Sequence, residues 1–129
     1  MTNSKQKTAI VVLSDPDSGT QESLGRLFNA LASAYEYRDE GDEVTLLFQG
    51  TGTRWLGRLV DPEHPAHQLF LQVQDTIAGA SCGCADAYGA TQSVEASGFA
   101  LIKDNPVPGT SGLPSLRSLT QAGFTVLTF

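Results

Sequence analysis

Cys82-Gly83-Cys84 are the residues of this 129-residue chain whose type and spacing most directly permit chemistry. They follow the small-residued run Thr76 to Ser81 (TIAGAS), which reads as a strand, and they open the segment Cys82 to Gly89, which reads as a turn and the first turns of a helix. A thiol that closes a strand and begins a helix meets amide N–H groups and the positive end of the helix dipole, and both favour the nucleophilic thiolate. Asp86, two residues past Cys84, opposes a second negative charge there. The plainer reading is that free cysteine is a small residue at home in a core. Structural zinc needs about four ligands, which the two thiols do not supply without His64, His67 or another subunit, so neither a metal nor a cofactor is assigned. Being only two in number and one residue apart, the cysteines do not build the cross-linked framework of a small secreted domain.

The elements that must position these thiols follow from hydrophobic periodicity. Thr8 to Leu13 (TAIVVL) and Val44 to Phe48 (VTLLF) are continuous apolar runs, as expected of strands covered on both faces of a parallel sheet. Between them Leu24, Leu27, Phe28, Leu31 and Tyr35 form one stripe of a helix over about Thr20 to Arg38. Ser18 with Gln21 fits a capping box at its start and Gly41 its end. Gly50-Thr51-Gly52 breaks the second strand before an apolar turn at Trp55, Leu56, Leu59 and Val60 that Pro62 stops. A further helix after Pro65 carries Ala66, Leu69, Phe70 and Val73. Phe99 to Ile102 is a short fourth strand, Asn105 to Gly112 a loop, and Pro114 begins a helix with Leu116 and Leu119 that Gly123 caps. Phe124 to Phe129 is the last strand.

Strand and helix alternating about five times predict one doubly wound, three-layer α/β/α sandwich with a mostly parallel sheet of about five strands. Residues 1–7 are expected to be a flexible leader and 8–129 the single domain. Ligands of such sheets gather at the carboxyl ends of the strands, which selects Ser14 to Gly19, Gln49 to Thr53 and Ser81 to Ala85, with the terminal carboxylate of Phe129 expected at the same edge. Ser14, Asp15, Gly50, Thr51, Gly83 and Tyr88 are the candidate binding residues, beside Cys82 and Cys84 as candidate catalytic ones. Asp15 and Asp17 are oxygen ligands of a kind that holds Mg²⁺ with a phosphate, against the plainer reading of an Asp-Pro-Asp-Ser turn that caps the next helix. The Gly50 to Thr53 segment has the look of a phosphate nest but lacks a P-loop lysine. Trp55, Phe48, Phe70 and Tyr88 read as core or interface aromatics, Trp55 being expected to find cover by oligomerisation.

Eight Lys plus Arg against fourteen Asp plus Glu give a formal charge of -6, and Arg26, Arg38, Arg54, Arg58, Lys103 and Arg117 are scattered. Counterion release needs clustered cations, so direct nucleic-acid binding and docking on an anionic membrane are not expected. The apolar runs are far shorter than the ~20 residues that span a bilayer, and MTNSKQK lacks the apolar stretch of a secretory signal, so the expectation is a cytoplasmic protein.

The SDPD loop after the first strand, the segment TIAGASCGCADAYGA and the ending GLPSLRSLTQAGFTVLTF together resemble the DsrE/DsrF-like family of small sulfur-relay proteins, over most of the chain and most specifically at the cysteines. The resemblance implies a sulfurtransferase-like carrier in which Cys82 or Cys84 accepts sulfane sulfur as a persulfide and passes it to a partner's thiol. It also implies a homo-oligomer, trimer or hexamer, with sulfur donor and acceptor proteins as partners. In that family the cysteine segment commonly continues to Arg-Gly; here Tyr88-Gly89 stands there, without the cation. The competing expectation is a non-catalytic oligomeric module whose glycine-rich strand ends hold a small ligand and whose thiols are structural.

Overall fold

The structure, a computed structural model, describes residues 5–129. Five parallel strands, β1 (Lys7–Val12), β2 (Glu43–Phe48), β3 (Ile77–Ser81), β4 (Leu101–Ile102) and β5 (Thr125–Thr128), form one sheet in the order β4-β3-β2-β1-β5. The helices are α1 (Gln21–Asp39), α2 (Trp55–Leu59), α3 (His67–Val73), α4 (Cys82–Ala87), α5 (Thr91–Ala96) and α6 (Leu116–Gln121). The chain steps in one direction from β1 to β4, so right-handed crossovers put α1 to α5 on one face, and the return to β5 puts α6 on the other. This is the α/β/α sandwich expected.

The core follows from the alternation of side chains along the strands. Ile10, Val12, Leu46 and Phe48 pack against Leu27, Leu31, Leu56, Leu59, Phe70, Val73 and Val94, while Ala9, Val11 and Leu47 are buried outside this cluster, on the opposite face. Burying both faces of β1 and β2 is what their unbroken apolar runs require.

Local differences from the sequence reading have physical causes. The cap of α1 is Thr20, whose side chain accepts from the Ser23 amide. Ser18 instead closes a 3-10 turn at Pro16–Ser18, in which the Asp15 side chain accepts from the Asp17 amide. The buried face of α1 is Ser23, Leu27, Ala30, Leu31 and Ala34, whereas Phe28 and Tyr35 are 41% and 43% exposed. Two alanines let the helix lie close on the sheet, and the aromatic edge of the stripe rotates to its flank. Helix α5 went unanticipated because its one large apolar residue, Val94, is too little to set a period. The expected leader ends earlier than residue 7: Lys7 belongs to β1 and the Gln6 amide donates to Asp42 Oδ1. The rest of that leader, residues 1–4, lies outside the described residues.

Trp55 needs no second copy for its cover. It is 2% exposed within one chain, because the 3-10 turn Gly50–Arg54 folds directly into α2 and turns the indole inward beneath the end of β1. No helix among the described residues is long and apolar enough to cross a membrane.

Candidate functional site

In a parallel sheet the carboxyl ends of all strands share one edge. The segments after β1, β2 and β3 therefore converge: Thr51 Oγ1 donates to the Leu13 carbonyl at 3.3 Å, and the Leu13 amide donates to a Phe129 oxygen at 2.8 Å. Helix α4 begins at this edge directly from β3 and packs against the 50–54 turn.

Both cysteines are free and half-buried. Residues two apart on a helix point to different sides, so Cys82 shares a face with Asp86 and Cys84 with Tyr88. That divergence also keeps the two thiols from closing a disulfide with each other while the helix is intact. The sequence reading expected amides at the helix start to favour the thiolate, but two of them are engaged elsewhere: the Gly83 amide donates to the Gly112 carbonyl at 2.7 Å and the Cys84 amide to Ser81 Oγ at 3.2 Å.

The residue that sequence reasoning missed is Ser111. Its hydroxyl lies 3.4 Å from Cys82 Sγ and 2.5 Å from Asp86 Oδ2, and the other carboxylate oxygen accepts from Thr91 Oγ1 at 2.8 Å. These bonds, that from Ser111 foremost and that from Thr91 next, hold the Asp86 carboxyl below the usual carboxylate range, so it is charged at neutral pH. A hydroxyl has one proton. The short contact to the carboxylate takes it, and the Ser111 lone pair is left to accept from the Cys82 thiol.

Two backbone devices bring Ser111 here. Asn105 and Leu113 pair in an antiparallel bridge that folds the 105–113 loop on itself, and the bond to the Gly83 amide presses its end on α4. The approach is close: a Cβ on Gly83 would lie 3.0 Å from the Gly112 carbonyl oxygen and 3.0 Å from Leu113 Cδ1. Gly83, Asp86, Ala87, Gly109, Thr110 and Ser111 line a cleft of ≈ 630 Å³ beside Cys82.

A second cluster lies on the Cys84 side. Arg54 Nη1 contacts Asp15 Oδ1 at 3.2 Å and Asp17 Oδ2 at 3.6 Å, while Arg58 contacts Asp17 Oδ1 at 2.5 Å. Arg54 also donates through Nε to the Tyr88 carbonyl at 3.1 Å and lies over the Tyr88 ring at 5.7 Å. A guanidinium from the turn after β2 thus reaches the end of the cysteine helix, where the segment itself carries no cation. Its charge is balanced by Asp15 and Asp17, so the pair of aspartates is engaged as an ion-pair partner rather than as open oxygen ligands. Asp17, Arg54, Arg58, Tyr88 and Ser93 line a polar cleft of ≈ 400 Å³ with Gly57, Gly89 and Ala90.

The remaining candidates make most of their polar contacts within the fold. The Ser14 carbonyl accepts from Trp55, and its hydroxyl is buried without a partner. In the glycine-threonine turn the Gly52 amide donates to Gln49 and Thr53 Oγ1 to Gly50, and Gly52 and Thr53 are buried, so the turn is consumed by its own packing. His64 Nδ1 accepts from the Ala66 amide at 3.1 Å and His67 Nδ1 bonds the Leu59 carbonyl at 2.7 Å, so each of these ring nitrogens has its own backbone partner. Burial holds His64 below its ordinary value, with Asp61 opposing and Arg58 and His67 adding to the shift.

Fold and site together define the class: a parallel α/β sandwich that presents a free thiol pair on the helix following an inner strand. No protein-family model, curated protein or solved structure matches the chain.

Proposed function

We propose that the protein is a small sulfur-relay protein that carries sulfane sulfur as a persulfide on Cys82. The observation that carries this reading is the position of that half-exposed thiol beside the cleft between α4 and the 109–111 segment, where an incoming donor has room. The resemblance of the cysteine segment to DsrE/DsrF-like proteins supports the same chemistry. In the loading step the Cys82 sulfur attacks the outer sulfur of a donor persulfide, a new S–S bond forms and the donor's S–S bond breaks. The electron pair goes to the donor sulfur, which takes up the proton that left Cys82. The number of electrons is unchanged, and transfer to an acceptor thiol repeats the exchange.

The oligomer that the resemblance implies has apolar side chains available for an interface in Phe28, Tyr35 and Leu71, all exposed on α1 and α3. A second reading, favoured by the engaged amides of Gly83 and Cys84, is a small-ligand-binding module in which both thiols are structural.

Intact mass after incubation with a sulfane-sulfur donor separates the two, on the wild type, Cys82→Ser and Cys84→Ser, with and without reductant. A reducible gain of one sulfur that is lost in Cys82→Ser supports the carrier. A gain lost only in Cys84→Ser moves the role to Cys84. No adduct from any donor, with both thiols slow to alkylate, favours the binding module.

A further inference from the structure

We infer that Asp86 sets the charge of the donors that reach Cys82: anionic donors such as thiosulfate are disfavoured, and a persulfide borne on a cationic or neutral carrier is admitted. The inference rests on the sulfur-carrier reading and names the substrate class of that site. Asp86 is the charged side chain in a cleft lining otherwise made of Gly83, Ala87, Gly109, Thr110 and Ser111. One hydroxyl separates it from Cys82 Sγ, through contacts of 2.5 Å and 3.4 Å. The carboxylate stays ionised at neutral pH, since Ser111 and Thr91 both donate to it. Lys103, whose Cβ packs beneath Gly112, belongs to the segment leading into the same loop but not to the cleft lining. A donor that approaches Cys82 from this cleft passes the carboxylate, and the chain as a whole adds a net charge of -6 of the same sign.

The magnitude is readable. A unit charge held ~6 Å from another in water changes a rate about threefold, so a cationic and an anionic reagent of equal reactivity should differ about tenfold. The same comparison should shrink at about 0.5 M salt, where the screening length is only a few ångströms.

The test uses two methanethiosulfonates of one reactive group and opposite charge, the trimethylammonioethyl and the sulfonatoethyl reagents, on Cys84→Ser, in which Cys82 is the one thiol. Each reaction forms a mixed disulfide at Cys82 and releases methanesulfinate. The expected result is faster labelling by the cation, a cation-to-anion ratio that Asp86→Asn cuts about tenfold, and a ratio that Ser111→Ala, which keeps the charge, largely retains. The salt dependence of the ratio with Asp86 intact gives a second readout that requires no change at the carboxylate. A ratio unmoved by Asp86→Asn and by salt overturns the inference. So does an equal change in both rates, because Asp86 would then act on the Cys82 proton alone.

A loading arm compares thiosulfate with cysteamine persulfide. Asp86→Asn should speed loading by the dianion and slow or leave unchanged loading by the cation. Charge-selective labelling with neither donor loading Cys82 overturns the sulfur-carrier reading, and the persulfide donor with it, while the labelling ratios still report what Asp86 does to Cys82.

Discussion

The indole Nε1 of Trp55 donates to the main-chain carbonyl of Ser14 across 2.8 Å. This bond ties the start of α2 to the segment that follows β1. Trp55→Phe removes the donor and leaves a carbonyl short of a partner, for an expected loss of about 1–3 kcal/mol. Trp55→Ala adds a cavity and should cost about 3–5 kcal/mol. Urea unfolding followed by circular dichroism checks both, the midpoint moving with little change in slope. Because the ring is buried within one chain, wild-type tryptophan emission should not shift on dilution through the dissociation of any oligomer. A red shift on dilution would contradict the intramolecular burial.

Arg54 joins Asp15, Asp17 and the Tyr88 carbonyl with one planar group, and its side chain is 28% exposed. A lysine at this position has no fork with which to reach the carboxylates and the carbonyl together. Arg54→Lys should therefore destabilise nearly as much as Arg54→Ala, by about 1–2 kcal/mol in thermal unfolding. Full retention of stability by Arg54→Lys would show that charge alone suffices there.

His64 accepts from the Ala66 amide through Nδ1, so that nitrogen carries no proton in the folded state. Burial, with Arg58 and His67 adding and Asp61 opposing, depresses its folded value below the ordinary 6.5. As pH falls below that ordinary value the unfolded chain binds a proton that the folded chain does not. The stability from neutral His64 is therefore complete above about pH 6.5 and declines as pH falls through the lower folded value. His64→Asn keeps an acceptor oxygen near the Nδ1 position and does not titrate. It should flatten the change in unfolding free energy between about pH 7 and pH 5; an unchanged slope would assign the dependence to other groups.

Three glycines rank by what surrounds them. Gly79 in β3 has φ +148, and a Cβ there would lie 2.2 Å from the Ala100 carbonyl oxygen, so Gly79→Ala should disrupt the β3–β4 edge and cost more than about 2 kcal/mol. Gly83→Ala meets Gly112, Leu113 and Thr110 at 3.0 to 3.2 Å. It should push the 109–113 segment off α4 at smaller cost and weaken the Ser111 contact, read as a changed alkylation rate at Cys82. Gly25 in α1 has nothing within 4 Å, and Gly25→Ala should stabilise by about 0.5–1 kcal/mol. Thermal unfolding of the three gives the order directly.

The sequence by itself determined the frame of this protein. Unbroken apolar strands alternating with helical stripes permit few arrangements once crossovers are right-handed, so the parallel sheet and the shared edge that gathers Ser14, Asp15, Gly50, Thr51 and Cys82 follow from local pattern. Boundaries followed within a residue or two at β1, β2 and β3, where side-chain period and burial agree. The buried side of α1 did not, because alanines and aromatics share its period and only packing on the sheet chooses between them.

The neighbours of the thiols were decided by tertiary structure alone. Ser111 lies 29 residues from Cys82 and Arg54 lies 34 from Tyr88, in a loop and a turn with no periodic signal of their own. The Ser111 side chain arrives because backbone hydrogen bonds, Gly83 to Gly112 and Asn105 with Leu113, fold its loop onto α4. Polar contacts of that kind depend on the positions of a few atoms to within an ångström. Hydrophobic patterning specifies faces, not atoms, and so it set where the cysteines stand but not what stands beside them.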